Sequence, residues 1–256
     1  MKKINTVVIF GIGLIGGSIG KSLLKKRMAS NVIGIGRNKT KLRKALKQKA
    51  ITDWSLDIRE VKQADLVILA TPVIHIQKTL KKITTLIKNG CIVTDAGSTK
   101  EKIVSIGTKL FSKKSFFVGS HPIAGSEKSG VSFSSDNLFK NSVCVITPHM
   151  KKTDKKALKA VKEMWEKLGA KVLIMDPKEH DKIIALTSHI PHFIAASLGL
   201  TVISDNKKVI SLIGKGFKDS TMIAASNPEV WTEIAIANKK NILTGIGKFL
   251  KIIGLM

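Results

Sequence analysis

The sequence predicts an α/β protein in which a doubly wound, mainly parallel sheet, residues 1–176, is followed by a smaller all-α domain, residues 177–256. Three observations predict this fold class. Short, apolar, β-branched runs alternate with amphipathic helical segments through short turns, as in parallel sheets covered by helices. A glycine-rich turn joins the first run to the first helix. After about residue 176 the strand signals stop, while helical periodicity continues.

Seven runs are predicted to form strands because they are short, apolar and rich in Val and Ile. They are residues 4–10, 31–35, 65–70, 91–95, 116–118, 142–146 and 171–175. Helices are predicted where apolar residues recur at spacings of three and four. They run from the glycine-rich turn to about Lys26, over 39–49, 76–87, 155–168, 183–200, 209–213 and 229–237, and onward from Thr99.

The chain is strongly basic, because 44 Lys and Arg against 18 Asp and Glu give a net charge of +26. Nearly all of this charge is lysine, it is spread over the predicted helix faces, and Tyr is absent. A nucleic-acid site would concentrate such charge in one patch or tail. We therefore interpret the lysines as solvated surface and expect no nucleic-acid partner. A positive field of this kind would still attract anionic cofactors and substrates.

Other features exclude further classes. Cys91 and Cys144 lie in apolar runs, so we expect buried thiols with neither a disulfide nor a metal site. The start of the chain lacks the apolar region of a signal peptide. No apolar run approaches the ~20 residues that span a membrane. We therefore expect a cytoplasmic protein with no membrane partner.

The glycine-rich turn predicts a dinucleotide site in a Rossmann-type domain. Its residues Gly11, Gly13, Leu14, Ile15 and Gly16 follow a strand and open a helix, which is the context that this motif requires. The glycines allow the tight turn, the approach of the pyrophosphate and the packing of helix on strand. The helix N-terminus then offers N–H groups to the phosphates.

The end of the second predicted strand bears on the choice of cofactor. An acidic residue there would bind the ribose 2′-hydroxyl of NAD, whereas an arginine would tolerate the 2′-phosphate of NADP. Residues 34–39 read Gly-Ile-Gly-Arg-Asn-Lys, with Arg37 and no carboxylate. NADP is therefore favoured, with NAD as the alternative if Arg37 is only a solvated loop cation.

Three further segments combine reactive side chains with turn residues at the ends of predicted strands: 95–100, 119–130 and 187–192. Together with the glycine-rich turn they resemble the prephenate/arogenate dehydrogenase family of tyrosine biosynthesis, from residue 4 to about residue 240. The stretch His-Pro-Ile-Ala-Gly-Ser-Glu, which begins at His121, is the most specific part of the resemblance.

The resemblance implies oxidative decarboxylation of a cyclohexadienol. Hydride leaves the ring carbon that bears the hydroxyl and goes to the nicotinamide, while the ring carboxylate departs as CO2 and the ring becomes aromatic. His121 matches the family's catalytic histidine, which suits a base that acts near neutral pH. Ser98 matches the serine that helps to orient this histidine. The alternative for His121 is a structural turn histidine before proline.

The resemblance also implies contacts to the ligands. Thr71 and Pro72 end a strand where the nicotinamide ribose would lie, although Pro72 could simply mark a turn. The expected substrate contacts are Ser126, Glu127, His189, Lys218, Asp219 and Trp231. Trp231 could instead be a core aromatic. His75, His149 and His180 match no family position and are interpreted as surface or packing residues.

The chain departs from the family pattern at one position. Met222 stands where the family carries an arginine that holds a substrate carboxylate, and a thioether cannot donate a hydrogen bond. The family's helical region also forms much of a dimer interface, so we expect a homodimer. Two alternatives stay open: another Rossmann dehydrogenase with a helical second domain, or a weakly active cofactor-binding regulatory protein.

Overall fold

The computed structural model describes residues 3–111, 114–125, 128–205 and 207–255. The chain divides into two compact units, Met1–His180 and Asp181–Met256. The first unit is built around a sheet and the second is helical, so the predicted fold class is confirmed.

Within the described residues the first unit contains one sheet of eight strands. The strands are β1 (Ile4–Phe10), β2 (Ala29–Ile35), β3 (Asp53–Ser55), β4 (Leu66–Leu69), β5 (Ile92–Asp95), β6 (Phe116–Ile123), β7 (Val143–Thr147) and β8 (Lys171–Ile174). Their order is β3-β2-β1-β4-β5-β6-β7-β8. Neighbouring strands are parallel except β6 and β7, which are antiparallel.

The helices follow the strands in the predicted alternation and continue beyond them. They are α1 (Leu14–Lys25), α2 (Lys39–Lys47), α3 (Val73–Ile83), α4 (Glu101–Leu110), α5 (Lys155–Leu168), α6 (Pro177–Ile184), α7 (Ile190–Asp205), α8 (Lys215–Thr221), α9 (Pro228–Ala237) and α10 (Lys239–Ile253). The prediction of a helix over residues 155–168 agrees with α5 at both ends.

The central strands are buried on both faces, as expected for a parallel sheet covered by helices. Val7–Ile9 in β1 and Val67–Leu69 in β4 are completely buried. The thiols of Cys91 and Cys144 are also buried and free, as predicted. Burial raises the pKa of Cys91 to about 12, so this thiol stays protonated and unreactive near neutral pH.

β6 is longer than predicted and changes partner along its length. Residues 116–118 pair with β5, and residues 119–123 pair with β7 in the opposite direction. Pro122 is unusual inside a strand, because proline cannot donate to a ladder. It is tolerated because this part of β6 has left β5 and pairs only with β7, where Pro122 lies opposite Cys144.

The second unit packs helices around a small core of Ala185, Ile190 and Ile242. Between α6 and α7 the chain forms a π-helical turn, Ala185–His189, in which the N–H of Ile190 donates to the carbonyl oxygen of Ala185. Pro191 explains this turn, because it has no N–H to continue the regular i to i−4 pattern.

One helical stretch corrects the expectation that no apolar run approaches the length of a membrane span. Residues Pro177–Ser204 form a helical stretch of 28 residues that is largely apolar and mostly exposed within the described structure. The prediction was wrong because α6, the π-helical turn and α7 follow one another without a break and together form one long helix. By length and composition alone this helix meets the criterion, as do core and interface helices of other proteins.

Candidate active site

The turn between β1 and α1 requires glycine at two positions for internal reasons. Gly11 has a φ of +84°, and a Cβ there would lie 2.7 Å from the carbonyl oxygen of Ala70. A Cβ at Gly16 would overlap the carbonyl oxygen of Gly11. At Gly13, by contrast, a Cβ would meet no atom within 4 Å. The protein's own packing therefore does not require Gly13, and open space lies beside the start of α1.

The chemical groups around this open space fit a dinucleotide. α1 begins at Leu14 and Ile15 with no side-chain cap and no acidic residue in its first turn. Its first N–H groups have no partner within the helix and carry a partial positive charge. The hydroxyl of Thr71 is buried without a hydrogen-bond partner in the described structure, and its methyl group lines the same turn. Pro72 follows as the N-cap of α3.

Arg37 lies just beyond β2, and its side chain is exposed. The next residue, Asn38, caps α2 by accepting from the N–H of Lys41 at 3.0 Å. No carboxylate is present in residues 34–39. The loop therefore presents a guanidinium and no carboxylate at the end of β2.

A buried ion pair joins the end of β5 to β6. Asp95 and Lys100 are both completely buried and in direct contact. Lys100 Nζ also donates to the carbonyl oxygen of Ser120 at 2.9 Å, and the N–H of Gly97 donates to the Asp95 carboxylate at 2.9 Å. Burial raises the pKa of Asp95, whereas the neighbouring Lys100 ammonium opposes this rise. The network ties the loop that carries Ser98 to the strand that carries His121.

Ser98 is half-buried in this loop, between β5 and α4. Ser120, directly before His121, is completely buried, and Nε1 of Trp165 donates to its hydroxyl at 3.1 Å. The hydrogen bonds from Lys100 and Trp165 to Ser120 therefore fix the residue immediately before His121. The sequence placed Lys100 and Ser120 in two of the reactive segments without indicating a role for them, and it gave no sign of Trp165, which contacts Ser120 from the buried side.

His121 lies within β6, where it pairs with Val145 of β7, and not in a turn after the strand as the sequence suggested. Its Nδ1 atom is 2.9 Å from Nε2 of His180. The ring centroids are 5.1 Å apart at an interplanar angle of 71°, and His180 is completely buried. His180 was interpreted as a surface or packing residue; burial agrees with packing, but its hydrogen bond to His121 was not foreseen. No local sequence pattern could have revealed this contact, because 59 residues separate the two histidines.

In the second unit, His189, His192 and Trp231 form an aromatic cluster. The rings of His192 and Trp231 are stacked with centroids 3.5 Å apart and an interplanar angle of 4°. His189 meets Trp231 edge-on, with centroids 6.1 Å apart. Burial lowers the pKa of His192, and its hydrogen bond to the carbonyl oxygen of Ile223 partly opposes this. Sequence reasoning named His189 and Trp231 and left His192 without a role.

The remaining predicted substrate residues do not join this cluster through any contact that the structure records. Lys218 and Asp219 lie on α8 with exposed side chains, and Met222 is 69% exposed just beyond it. Ser126 and Glu127 lie outside the described residues. The described part of the chain contains no group of three or more His, Cys, Asp or Glu that could hold a metal ion.

Two family models match the chain. Residues 19–174 match the model described as prephenate dehydrogenase, nucleotide-binding domain, and residues 176–255 match the model described as prephenate dehydrogenase, dimerization domain. The first match contains His121 and the strands β2 to β8, and the second contains the helical cluster with His189. Together they cover nearly the whole chain.

Individual proteins are similar over the same length. The prephenate dehydrogenase of Bacillus subtilis is 37% identical over 96% of this chain and 68% of its own. A crystal structure of prephenate dehydrogenase from Aquifex aeolicus, in complex with hydroxyphenyl propionate and NAD+, is 38% identical, with a TM-score of 0.92 over 98% of this chain and 88% of its own. Synechocystis arogenate dehydrogenase is 29% identical, with a TM-score of 0.82 over 98% of this chain and 90% of its own.

Proposed function

Because the chain belongs to the prephenate dehydrogenase family, we propose that it oxidatively decarboxylates prephenate to 4-hydroxyphenylpyruvate with a nicotinamide dinucleotide as hydride acceptor. The observation that carries this proposal is the placement of His121 on β6, beside a buried second histidine and tied to the Ser98 loop. The same unit contains the glycine turn that fits a dinucleotide.

The cofactor would be held by the turn after β1. Gly11 and Gly16 allow the turn to form, Gly13 leaves room for the pyrophosphate, and the N–H groups of Leu14 and Ile15 would donate to it. The buried hydroxyl of Thr71, with Pro72 beside it, would face the ribose of the nicotinamide half. When bound, the nicotinamide ring accepts the hydride from the substrate carbon that bears the hydroxyl.

His121 would act as the base at that hydroxyl. As the C–H bond electrons leave with the hydride, positive charge develops on the carbon, and removal of the O–H proton allows a carbonyl to form. If Nδ1–H of His121 donates to His180, then Nε2 carries the lone pair that accepts this proton. Ser98 would hydrogen-bond in the same region and keep the imidazole oriented. A positioned base of this kind contributes about 10²–10⁴ in rate.

The substrate contacts remain those that the family motifs indicate: Ser126, Glu127, His189, Lys218, Asp219 and Trp231. The edge-on contact of His189 with Trp231 supports a joint role for these two. Lys218 would supply positive charge toward a substrate carboxylate, because Met222 cannot donate a hydrogen bond.

We further propose a preference for NADP over NAD. The exposed guanidinium of Arg37 and the absence of a carboxylate in residues 34–39 support this preference. Arginine pairs with a phosphate in charge-assisted hydrogen bonds, whereas the ribose hydroxyls of NAD would lack their usual acidic partner.

The helical unit is proposed to form a homodimer interface. Large apolar side chains are exposed on α7 and α10, among them Leu200, Ile203, Leu250 and Ile252, which are between 59% and 69% exposed. Exposed apolar area of this kind is covered in a stable protein by another chain or by lipid. A second copy packed on this unit would cover part of the apolar stretch Pro177–Ser204.

Arogenate is the second candidate substrate, favoured by the similarity to an arogenate dehydrogenase. The test is to incubate the purified protein with prephenate or arogenate, each with NADP or NAD, and to measure reduced nicotinamide and released CO2. We expect equal amounts of both products with prephenate, and a higher kcat/KM with NADP. Turnover of arogenate but not of prephenate would show that arogenate is the substrate. Cofactor binding without turnover of either substrate would favour a regulatory protein.

A further inference from the structure

His189 is held by an asparagine from a distant part of the chain. It is the last residue of the π-helical turn and is 1% exposed, while Asn238 lies between α9 and α10 and is 4% exposed. Nδ1 of His189 is 3.2 Å from Nδ2 of Asn238, across a separation of 49 residues. At this distance the two nitrogens form a hydrogen bond, in which one is the donor and the other the acceptor.

The orientation of the Asn238 amide follows from its second contact. The same Nδ2 atom lies 2.7 Å from the carbonyl oxygen of Asp181, and a carbonyl oxygen can only accept. The amide therefore turns its NH2 group, and not its oxygen, toward Asp181. Its oxygen accepts from Nδ2 of Asn241 at 2.8 Å, which agrees with this orientation. Both hydrogens of the Asn238 NH2 group are then committed, one to Asp181 and one to His189.

Nδ1 of His189 must accept, because the amide nitrogen facing it has a proton to donate and no lone pair to offer. A histidine that accepts at Nδ1 is neutral and carries its proton on Nε2. We propose that Asn238 fixes His189 in this tautomer, so that His189 acts as a hydrogen-bond donor to an oxygen acceptor of the substrate, either a carboxylate or a carbonyl. This inference rests on the proposed function, in which His189 binds substrate.

The neighbouring histidine is held in the opposite tautomer. Nδ1 of His192 is 3.1 Å from the carbonyl oxygen of Ile223, so Nδ1 of His192 must be the donor. Its stacking on Trp231 holds the ring in place. The two histidines are one helical turn apart, and their proton positions are set by different partners. His192 therefore provides an internal reference for a measurement on His189.

The fixed tautomer restricts the ligand chemistry. A donor at Nε2 of His189 attracts oxygen lone pairs and repels an ammonium group. A histidine without a fixed partner could change tautomer or gain a proton to suit either kind of ligand. Asn238 removes this freedom. It is a positioning residue, since its contacts act on His189 and not on the ligand.

The tautomers can be read directly by NMR of protein labelled with 15N-histidine, because protonated and unprotonated ring nitrogens have well-separated shifts. The measurement is made at about pH 8, above the ordinary histidine pKa of about 6.5. We expect His189 to show an unprotonated Nδ1 and a protonated Nε2, and His192 to show the reverse. Signals are assigned with single histidine substitutions.

Asn238→Ala should remove the fixed pattern at His189 and leave that of His192 unchanged. Lys240→Ala is the control, because it removes an exposed side chain close to Asn238 at the start of α10. In the assay with prephenate, Asn238→Ala should raise the KM about five- to tenfold, which corresponds to the loss of one hydrogen bond. The kcat should change little. The KM for the cofactor should not change.

A wild-type His189 with its proton on Nδ1 would overturn the proposal without any variant having to fold. So would an Asn238→Ala protein in which both the His189 pattern and the KM for prephenate match those of the wild type. If the predicted pattern is found but neither prephenate nor arogenate is turned over, the tautomer assignment holds and the proposed function fails.

Discussion

Nδ1 of His121 lies 2.9 Å from Nε2 of His180, although the two residues are 59 positions apart and belong to a strand and a helix. The His180 ring is completely buried and meets the His121 ring nearly at a right angle. This contact commits one ring nitrogen of His121 to the protein. The proposed function assigns the other nitrogen, Nε2, to the proton transfer.

His180→Phe should lower kcat about two- to tenfold, because Phe keeps an aromatic ring but loses the hydrogen bond that orients His121. His180→Gln should retain more activity, because its amide group reaches about where Nε2 lies. The KM for the cofactor should stay the same in both. A His75→Phe protein serves as control. Equal kcat in the Phe and Gln variants, with equal thermal midpoints, would argue against a hydrogen-bonding role.

The two outer glycines of the turn and the central one should respond differently to alanine. Gly13→Ala should fold normally, because the added Cβ meets no protein atom within 4 Å, yet it should weaken cofactor binding about tenfold. Gly16→Ala should lower the melting temperature, because its Cβ overlaps the carbonyl oxygen of Gly11. Titration calorimetry measures the cofactor affinity, and scanning calorimetry measures the melting temperature. Unchanged cofactor affinity in Gly13→Ala would move the dinucleotide away from this turn.

Arg37→Glu should reverse the cofactor preference. Removing the guanidinium should raise the KM for NADP about ten- to a hundredfold, the worth of one or two charge-assisted hydrogen bonds, while the new carboxylate can bind the 2′-hydroxyl of NAD. Lys47→Glu, at the far end of α2, makes the same change in charge and should leave the preference intact. Steady-state kinetics with both cofactors decides the matter; an identical NADP-to-NAD ratio in Arg37→Glu and wild type would refute the role of Arg37.

His192 should make the folded protein less stable in acid. Burial lowers its pKa below the ordinary value of 6.5, so below that pH the unfolded chain takes up a proton that the folded chain resists. Its contribution to stability is thus present above about pH 6.5 and is lost as the pH falls through the folded pKa. The urea midpoint should fall between pH 7.5 and pH 5.5 in both proteins. The fall should be smaller in His192→Phe than in the wild type, because Phe can still stack on Trp231 but cannot be protonated. Equal losses in the two proteins would contradict this.

Met222→Arg should lower the KM for prephenate about tenfold by restoring a bidentate partner for a carboxylate. Met222 is 69% exposed, so the longer side chain should fit without loss of stability. Met222→Lys should have a smaller effect, because an ammonium offers a point charge without the planar fork. Met222→Leu is the neutral control. If Arg, Lys and Leu all give the wild-type KM, no substrate carboxylate is bound at this position.

The parts of the fold that could be predicted are those encoded by local patterns. β1, the glycine turn and α1 follow from a buried apolar run, a glycine motif and helical spacing that are contiguous in sequence. β3 was missed because Asp53–Ser55 is short and polar, and it forms only as an edge strand beside β2. The far half of β6 was missed because Pro122 is tolerated only through its pairing with β7.

The residues of the candidate site likewise fall into those that local motifs could identify and those that they could not. The motifs identified His121, Ser98 and the glycine turn, because these residues lie in recognisable local segments. His180 and Asn238 lie in segments without such motifs, and each acts through a contact made across about 50 to 60 residues. Local sequence reasoning cannot detect such partners, since their importance arises only when the chain has folded.

The most direct test of the central claim compares His121→Asn with the wild type in two measurements on the same preparation: dinucleotide affinity by calorimetry and kcat with prephenate. We predict that the affinity stays within about twofold while kcat falls at least about a hundredfold, because only the base has been removed. A His121→Asn protein that turns over prephenate at the wild-type rate would contradict the assignment of His121 as the base.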